Sequence, residues 1–267
     1  MMQLYEIICF AILRALCSLF PVNAVLYELL LSKLMSKVVI SEAESFCILL
    51  GIAVAILVHF RRHLAMLVSR RDMQKIAEIL MVAILEFVVM SLYRGAILKW
   101  RDGAVPISIA AIASALLGFA ILAAGRKNKN YFAFLDPERR KAPSFREGKN
   151  GAVCAVLMAG GVLPSQLIKL NTQDDVKKQK RLIRLALCAH ALALAVFVLV
   201  WAPVTYFTQS VEVNLLNCGI AIAAAFAVTL CALTMFWRRV KTGLSFKVFA
   251  YYSCIIAAVV AIFILLL

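Results

Sequence analysis

Ionisable side chains inside apolar runs are the residues of this chain whose types could do chemistry. Arg14, Glu86 and His190 each stand in a stretch that is otherwise almost wholly apolar. A charged group at the centre of a bilayer costs at least about 2.5 kcal/mol, so it is usually kept for a function or for a buried partner. Two interpretations of Glu86 stay open: a functional intramembrane carboxylate, or a buried ion pair with Arg14.

Arg14 and His190 have alternatives of their own. Arg14 would clamp a lipid phosphate, form an ion pair, or extend its head group toward the membrane interface. A lone histidine on an apolar helix is more often hydrogen-bonded to a neighbour than catalytic, and both roles stay open for His190.

Two apolar runs are broken by a proline, at residues 16–27 and 158–166. Each break carries hydrogen-bonding side chains, which are Asn23 and Tyr27 in the first run and Ser165 and Gln166 in the second. These groups would bind a lipid headgroup, or they would satisfy backbone groups that the prolines free. We expect the two breaks to face each other inside the protein.

Composition indicates that transmembrane helices must position these residues. The 267-residue chain is 64% hydrophobic and 16% charged, whereas a soluble domain is about 45–50% apolar and about 25% charged. Its apolar runs of about 20 residues are long enough to cross a bilayer as helices. The net charge of +15 comes mainly from basic residues between these runs, a placement typical of membrane proteins and not of nucleic-acid binding. The eight cysteines form no CxxC pair, which argues against a disulfide framework or a zinc site.

The positions of the basic residues predict the topology. Basic stretches at 61–75, 126–149, 169–184 and 238–247 are all expected on the cytoplasmic side. The second broken run, at 151–169, lies between two of them, so we expect it to enter and return as a re-entrant hairpin. The first broken run, at 4–31, would dip in from the outer face. The predicted spans are 45–60, 76–93, 105–124, 185–204, 213–237 and 248–267, with Arg94, Lys99 and Arg101 in a short link.

The resulting fold is an all-α polytopic membrane protein with six spans and two hairpins. Each half has one hairpin and three spans, and because three is odd the halves lie in opposite orientations. This is an inverted repeat, whose sites lie near the midplane where broken helices meet. The predicted parts are a first repeat at 1–124, a cytoplasmic basic connector at 125–150 and a second repeat at 151–267.

Several stretches carry a family resemblance. They are Ala11-Ile12-Leu13 with Leu19-Phe20-Pro21-Val22, Leu50-Gly51 with His59-Phe60-Arg61-Arg62, and the C-terminal part from Arg238 with Ser245-Phe246 and Tyr251. Together with the order of hairpins and spans, they resemble the bacterial undecaprenyl-diphosphatase family of the bacitracin-resistance type. That family removes one phosphate from the polyprenyl diphosphate carrier lipid of cell-wall synthesis. The resemblance therefore implies a multi-pass protein of the bacterial plasma membrane that meets polyprenyl phosphate.

The chain departs from the family where the resemblance would place the catalytic residues. The family's first hairpin carries two glutamates and a serine–histidine run, and its second carries a proline and an arginine. The matching positions here hold Cys17, Asn23, Ala24, Tyr27, Ala159 and Leu163. Because losing one charge-stabilising group typically costs about 10²–10³ in rate, we expect the family fold without the family's standard hydrolysis.

Three functions stay open. The first is binding of a polyprenyl (di)phosphate without hydrolysis; the candidate contacts are Arg14, Asn23, Tyr27, Ser165 and Gln166. The second is a lipid or solute transporter in which Glu86 or His190 couples protons. The third is an active diphosphatase with a relocated site built on Arg14 and Glu86, the one case that calls for a divalent metal as cofactor. Expected partners are membrane lipids and either a second copy of the chain or another membrane subunit, with no nucleic acid.

Overall fold

The structure, a computed structural model, describes residues 4–20, 23, 41–100, 105–127, 157–158, 162–169, 176–209, 213–242 and 247–266. Every structural statement below refers to these residues. Tyr27 and residues 128–150 of the connector lie outside them. The described part is helical and contains no strand. Its helices are α1 (Leu4–Leu19), α2 (Glu42–Ser69), α3 (Met73–Trp100), α4 (Val105–Lys127), α5 (Pro164–Lys169), α6 (Val176–Gln209), α7 (Leu215–Thr242) and α8 (Lys247–Leu266).

Local signals fix the start of α2 and the turn that follows it. The Ser41 side chain accepts a hydrogen bond from the Glu44 N–H, and the Glu44 carboxylate accepts one from the Ser41 N–H, which is a capping box. At the other end Arg71 has a φ of 48°, in the left-handed region, and this reverses the chain within a few residues. Helices α2 and α3 are therefore joined by a tight turn.

The helices pack around one continuous apolar core. Helix α6 lies against both α2 and α3, α7 lies against α1 and α2, and α4 pairs with α8. The contact between α2 and α7 is close, because a Cβ atom at Gly51 would lie 2.6 Å from the Ile222 carbonyl oxygen. Small residues allow such an approach between membrane helices.

Side-chain contacts give the helix directions. Helices α2 and α7 are parallel, since Glu44 meets Asn217 near their starts and Phe60 meets Trp237 near their ends. Helices α2 and α6 are antiparallel, because Phe46 meets Phe197 whereas His63 meets Arg184. The ends of α2 and α7 therefore lie beside the starts of α3 and α6. We call this the basic end of the bundle; it carries Arg70, Lys75, Arg181, Arg184 and Arg238.

Three of the described helices are long and apolar enough to cross a membrane: Glu42–Ser69, Gln179–Thr208 and Leu215–Val240. The protein is thus an α-helical protein of the membrane type. Two sequence expectations need correction. Arg94 lies inside α3 and not in a link, and α6 begins at Val176, so the basic stretch and the following span form one helix. Arg94 is accommodated because it finds polar and aromatic partners, described below.

Candidate functional site

Two parallel helices bring the buried ionisable residues together. Glu86 lies midway along α3 and His190 near the middle of α6. Further along both helices, Trp201 donates a hydrogen bond to Ser91 over 3.0 Å, and Arg94 donates one to Thr205 over 2.6 Å. These contacts fix the register of the two helices, and the register places the carboxylate against the imidazole.

Glu86 is completely buried, and both of its carboxylate oxygens are occupied. One oxygen is hydrogen-bonded to Nδ1 of His190, whose side chain is 1% exposed. The other accepts the backbone N–H of Ser165, at 3.2 Å, in the first turn of α5. A single carboxylate thus joins α3, α6 and the short helix of the second broken run. The alternative in which Glu86 pairs with Arg14 is wrong.

The two residues that bond Glu86 each carry a polar atom without a hydrogen-bond partner among the described residues. They are Nε2 of His190 and Oγ of Ser165, and both are buried. Unsatisfied buried polar atoms are uncommon and mark either a functional group or the place of a bound molecule. The structure therefore combines an acid, a histidine oriented by that acid, and a nearby serine whose hydroxyl is unused.

Gln166 connects the two broken runs. Its side-chain oxygen accepts the N–H of Leu163 at 3.1 Å, which satisfies backbone at the start of α5. Its amide nitrogen donates to the carbonyl of Cys17, at 3.3 Å, near the end of α1. Asn23, beyond that end, is 2% exposed. The two breaks are in contact, and the amide of Gln166 satisfies backbone groups of both runs.

Arg14 does not bond to Glu86, His190, Ser165 or Gln166. Its guanidinium donates to the hydroxyl of Ser45 in the first turn of α2, while its carbonyl accepts the hydroxyl of Ser18. Of the sequence-selected residues, the structure groups Glu86, His190, Ser165 and Gln166 at one place and puts Arg14 at the α1–α2 contact. Tyr27 lies outside the described residues. No group of three or more His, Cys, Asp or Glu side chains with the arrangement of a metal site occurs in the described part.

Sequence reasoning did not foresee the cluster around Arg94. This guanidinium pairs with Glu42, and it lies 5.0 Å from the ring centroids of both Phe46 and Trp201. Arg94 itself could have indicated this cluster, because a cation near the end of an apolar span needs partners if it is to stay in the helix.

We call Glu86, His190 and Ser165 the Glu86 cluster. It could transfer a proton, because a glutamate and a histidine in direct contact can share or pass a proton. Acid–histidine–serine is also the set of groups used in nucleophilic catalysis, with the acid on one imidazole nitrogen and the serine on the other. No protein-family model matches this chain, and a comparison with curated proteins finds no significant match.

Proposed function

We propose that this chain is a multi-pass protein of the bacterial plasma membrane that binds and moves an anionic lipid of the polyprenyl phosphate class. The observation that supports this proposal most directly is that Glu86 is hydrogen-bonded both to His190 and to the backbone of the second broken run. The lipid class rests on the family resemblance, and movement rests on the geometry.

The pairing of helices supports an inverted-repeat scaffold. In an inverted repeat, α1, α2, α3 and α4 would correspond to α5, α6, α7 and α8, in that order. The α2–α7 contact then corresponds to α6–α3, the α1–α7 contact to α5–α3, and the α1–α2 contact to α5–α6. All of these contacts occur, and the α2–α6 and α4–α8 contacts map onto themselves. Since α2 and α6 are antiparallel, the two halves would be related by a two-fold axis in the membrane plane. Such scaffolds serve alternating access around a central site.

The bonds of Glu86 support a coupling role. While the carboxylate is charged, it is a strong acceptor for the Ser165 N–H and for the His190 ring. When the carboxyl is protonated, at least one of these bonds weakens, and α5 is held less firmly against α6. Acid and histidine groups inside membrane helices mark proton relays in pumps and transporters. Proton uptake would thereby change the attachment of the second broken run.

Reconstituted protein tests this proposal. Liposomes containing the chain should move a fluorescent short-chain polyprenyl phosphate between leaflets, faster when a proton gradient is imposed. Glu86→Gln should reduce the gradient-dependent flux at least tenfold, about 1.4 kcal/mol in free energy. Glu42→Gln, which removes a carboxylate outside the cluster, serves as the control. Wild-type flux that Glu86→Gln leaves unchanged would rule out the coupling role, and absence of wild-type flux would rule out transport.

The unused atoms Ser165 Oγ and His190 Nε2 favour a second candidate, hydrolysis at a relocated site. In it His190, oriented by Glu86, would accept the proton of the Ser165 hydroxyl as that oxygen attacks the terminal phosphorus of the lipid diphosphate. The bond from that phosphorus to the bridging oxygen would break and the lipid monophosphate would leave, after which water would hydrolyse the phosphoserine and release inorganic phosphate. Arg14 takes no part in this version, because it lies at Ser45. A phosphate-release assay on the long-chain lipid diphosphate, with and without a divalent metal, decides between the candidates. Release that Ser165→Ala abolishes favours hydrolysis, whereas no release from the wild type excludes it.

A further inference from the structure

A second cluster, separate from Glu86, lies at the basic end of the bundle. Arg184 near the start of α6 donates to Nδ1 of His63 over 3.3 Å, and its guanidinium lies 5.4 Å from the ring centroid of Trp237. Lys75 lies in the first turn of α3 and Arg181 lies one turn before Arg184 in α6, so both stand at this end of the bundle. Groups from α2, α3, α6 and α7 thus converge on one place. We name these five residues, His63, Lys75, Arg181, Arg184 and Trp237, the basic-end cluster.

Among the residues that the structure describes here, positive charges outnumber negative ones. Lys75, Arg181 and Arg184 contribute cations, and the carboxylate of Asp72 already pairs with Lys75. Another acid of the described residues, Glu78, is one turn further along α3 and accepts a hydrogen bond from Gln74. Neither acid bonds the Arg184 guanidinium. Like charges held together by the fold repel one another, so an anion that binds between them relieves the repulsion.

Arg184 offers an oriented donor. Its Nε atom is buried and has no hydrogen-bond partner among the described residues. Because a guanidinium can only donate, the Nδ1 atom of His63 is the acceptor of its Nη1 bond. The imidazole and the Trp237 ring therefore hold the guanidinium in place and leave its Nε–H unused. A preformed planar guanidinium edge matches the oxygens of a phosphate group.

We propose that the basic-end cluster is a binding site for an anion with a terminal phosphate group, with Arg184 as its main donor and Lys75 and Arg181 as supporting charges. The ligand is either free phosphate or a lipid that ends in a phosphate monoester, because both present a terminal phosphate group with unesterified oxygens. This site does not depend on the proposed transport function, since none of its residues bonds to Glu86 or His190.

Calorimetry on the purified full-length chain in a neutral detergent tests the proposal. The probes are inorganic phosphate and dodecyl phosphate, and dodecanol is the uncharged control. We expect dodecyl phosphate to bind and dodecanol not to bind. Arg184→Gln should weaken binding about tenfold, and Lys75→Gln, which leaves the Trp237 contact intact, should weaken it about threefold. Arg238→Gln, an exposed charge next to Trp237, should change the affinity less than twofold.

The two probes separate the two ligand sources. Binding of dodecyl phosphate with inorganic phosphate as an effective competitor assigns the site to free phosphate. Binding of dodecyl phosphate without such competition assigns it to a lipid phosphate monoester. The proposal is overturned if neither probe binds, or if folded Arg184→Gln and Lys75→Gln proteins both bind as tightly as the wild type. Failure of lipid transport in liposomes would leave this result unaffected.

Discussion

Glu86 and His190 are 104 positions apart in the chain, and their side chains meet inside the helix bundle with almost no exposure to solvent. The carboxylate also holds the backbone of Ser165. Removing one member of a buried pair leaves the other uncompensated, which typically costs about 3–5 kcal/mol. This relationship gives the strongest stability prediction for the chain.

Glu86→Ala is expected to lower the free energy of unfolding by about 3–5 kcal/mol, and Glu86→Gln by less, because the amide can still accept a hydrogen bond. The double variant Glu86→Ala/His190→Ala should cost clearly less than the sum of the two single variants. Denaturant titration of the detergent-solubilised protein measures all of these values. Strictly additive effects would show that the two residues do not interact.

Arg94 should matter more than its ion-pair partner. Glu42→Gln removes only a partly exposed pair, so it is expected to cost about 0.5–1 kcal/mol. Arg94→Ala also removes the Thr205 hydrogen bond and two aromatic contacts, and a cost of about 2–3 kcal/mol is expected. Arg94→Lys should recover only part of this, because an ammonium group lacks the planar face. Equal costs for Glu42→Gln and Arg94→Ala, measured by the same titration, would contradict the assigned role of the rings.

Two glycines provide a matched comparison of helix contacts. A Cβ atom at Gly51 would lie 2.6 Å from the Ile222 carbonyl oxygen, so Gly51→Ala must push α2 and α7 apart at about 1–3 kcal/mol. A Cβ atom at Gly219 would meet nothing within 4 Å, and Gly219→Ala should be neutral or stabilise by up to about 1 kcal/mol. Thermal unfolding of both variants in one detergent gives the comparison. If Gly219→Ala is destabilised and Gly51→Ala is not, the assignment of the close helix contact to Gly51 is wrong.

The turn between α2 and α3 should respond to pH through Asp72. The hydrogen bond from the Lys75 ammonium lowers the pKa of the Asp72 carboxyl below its usual value, against a smaller opposing effect of burial. The folded-state pKa is therefore below the unfolded one. The charged Asp72 carboxylate therefore stabilises the fold at pH values above the ordinary aspartate pKa of about 3.9. This stabilisation is lost as the pH falls through the folded-state pKa.

Lys75→Gln should raise the pKa of Asp72 toward the ordinary value. Carboxyl ¹³C shifts of a labelled sample, followed during an acid titration, report this pKa directly. Glu42→Gln, at the other end of α2, should leave the Asp72 titration unchanged. An Asp72 pKa that stays low in Lys75→Gln would show that another group holds the carboxylate.

Labelling from one side of the membrane tests the predicted orientation. In a variant without native cysteines, Arg70→Cys at the basic end and Asn214→Cys at the other end of α7 should react from opposite sides with an impermeant maleimide. Positive residues favour the cytoplasm, so the Arg70 position is expected inside. Reaction of both positions from the same side of intact cells would exclude the six-span topology.

The amino-acid sequence by itself determined the class of this protein and the residues worth examining. Uninterrupted apolar runs require helices, because backbone groups in lipid must bond within the same segment. The predicted span at 45–60 falls within helix α2, Glu42–Ser69. Glu86, His190, Ser165 and Gln166 stand out because a polar group in an apolar run is costly.

Only the tertiary structure decided which of these residues meet. The partner of Glu86 depends on the parallel register of α3 and α6, which long-range packing sets, and single-residue costs carry no information about register. The same reasoning separates Arg14, held by Ser45, from Arg94, held by Glu42 and two rings. The amino-acid sequence shows that a buried charge needs a partner, whereas the packing of helices that are distant in the sequence selects that partner.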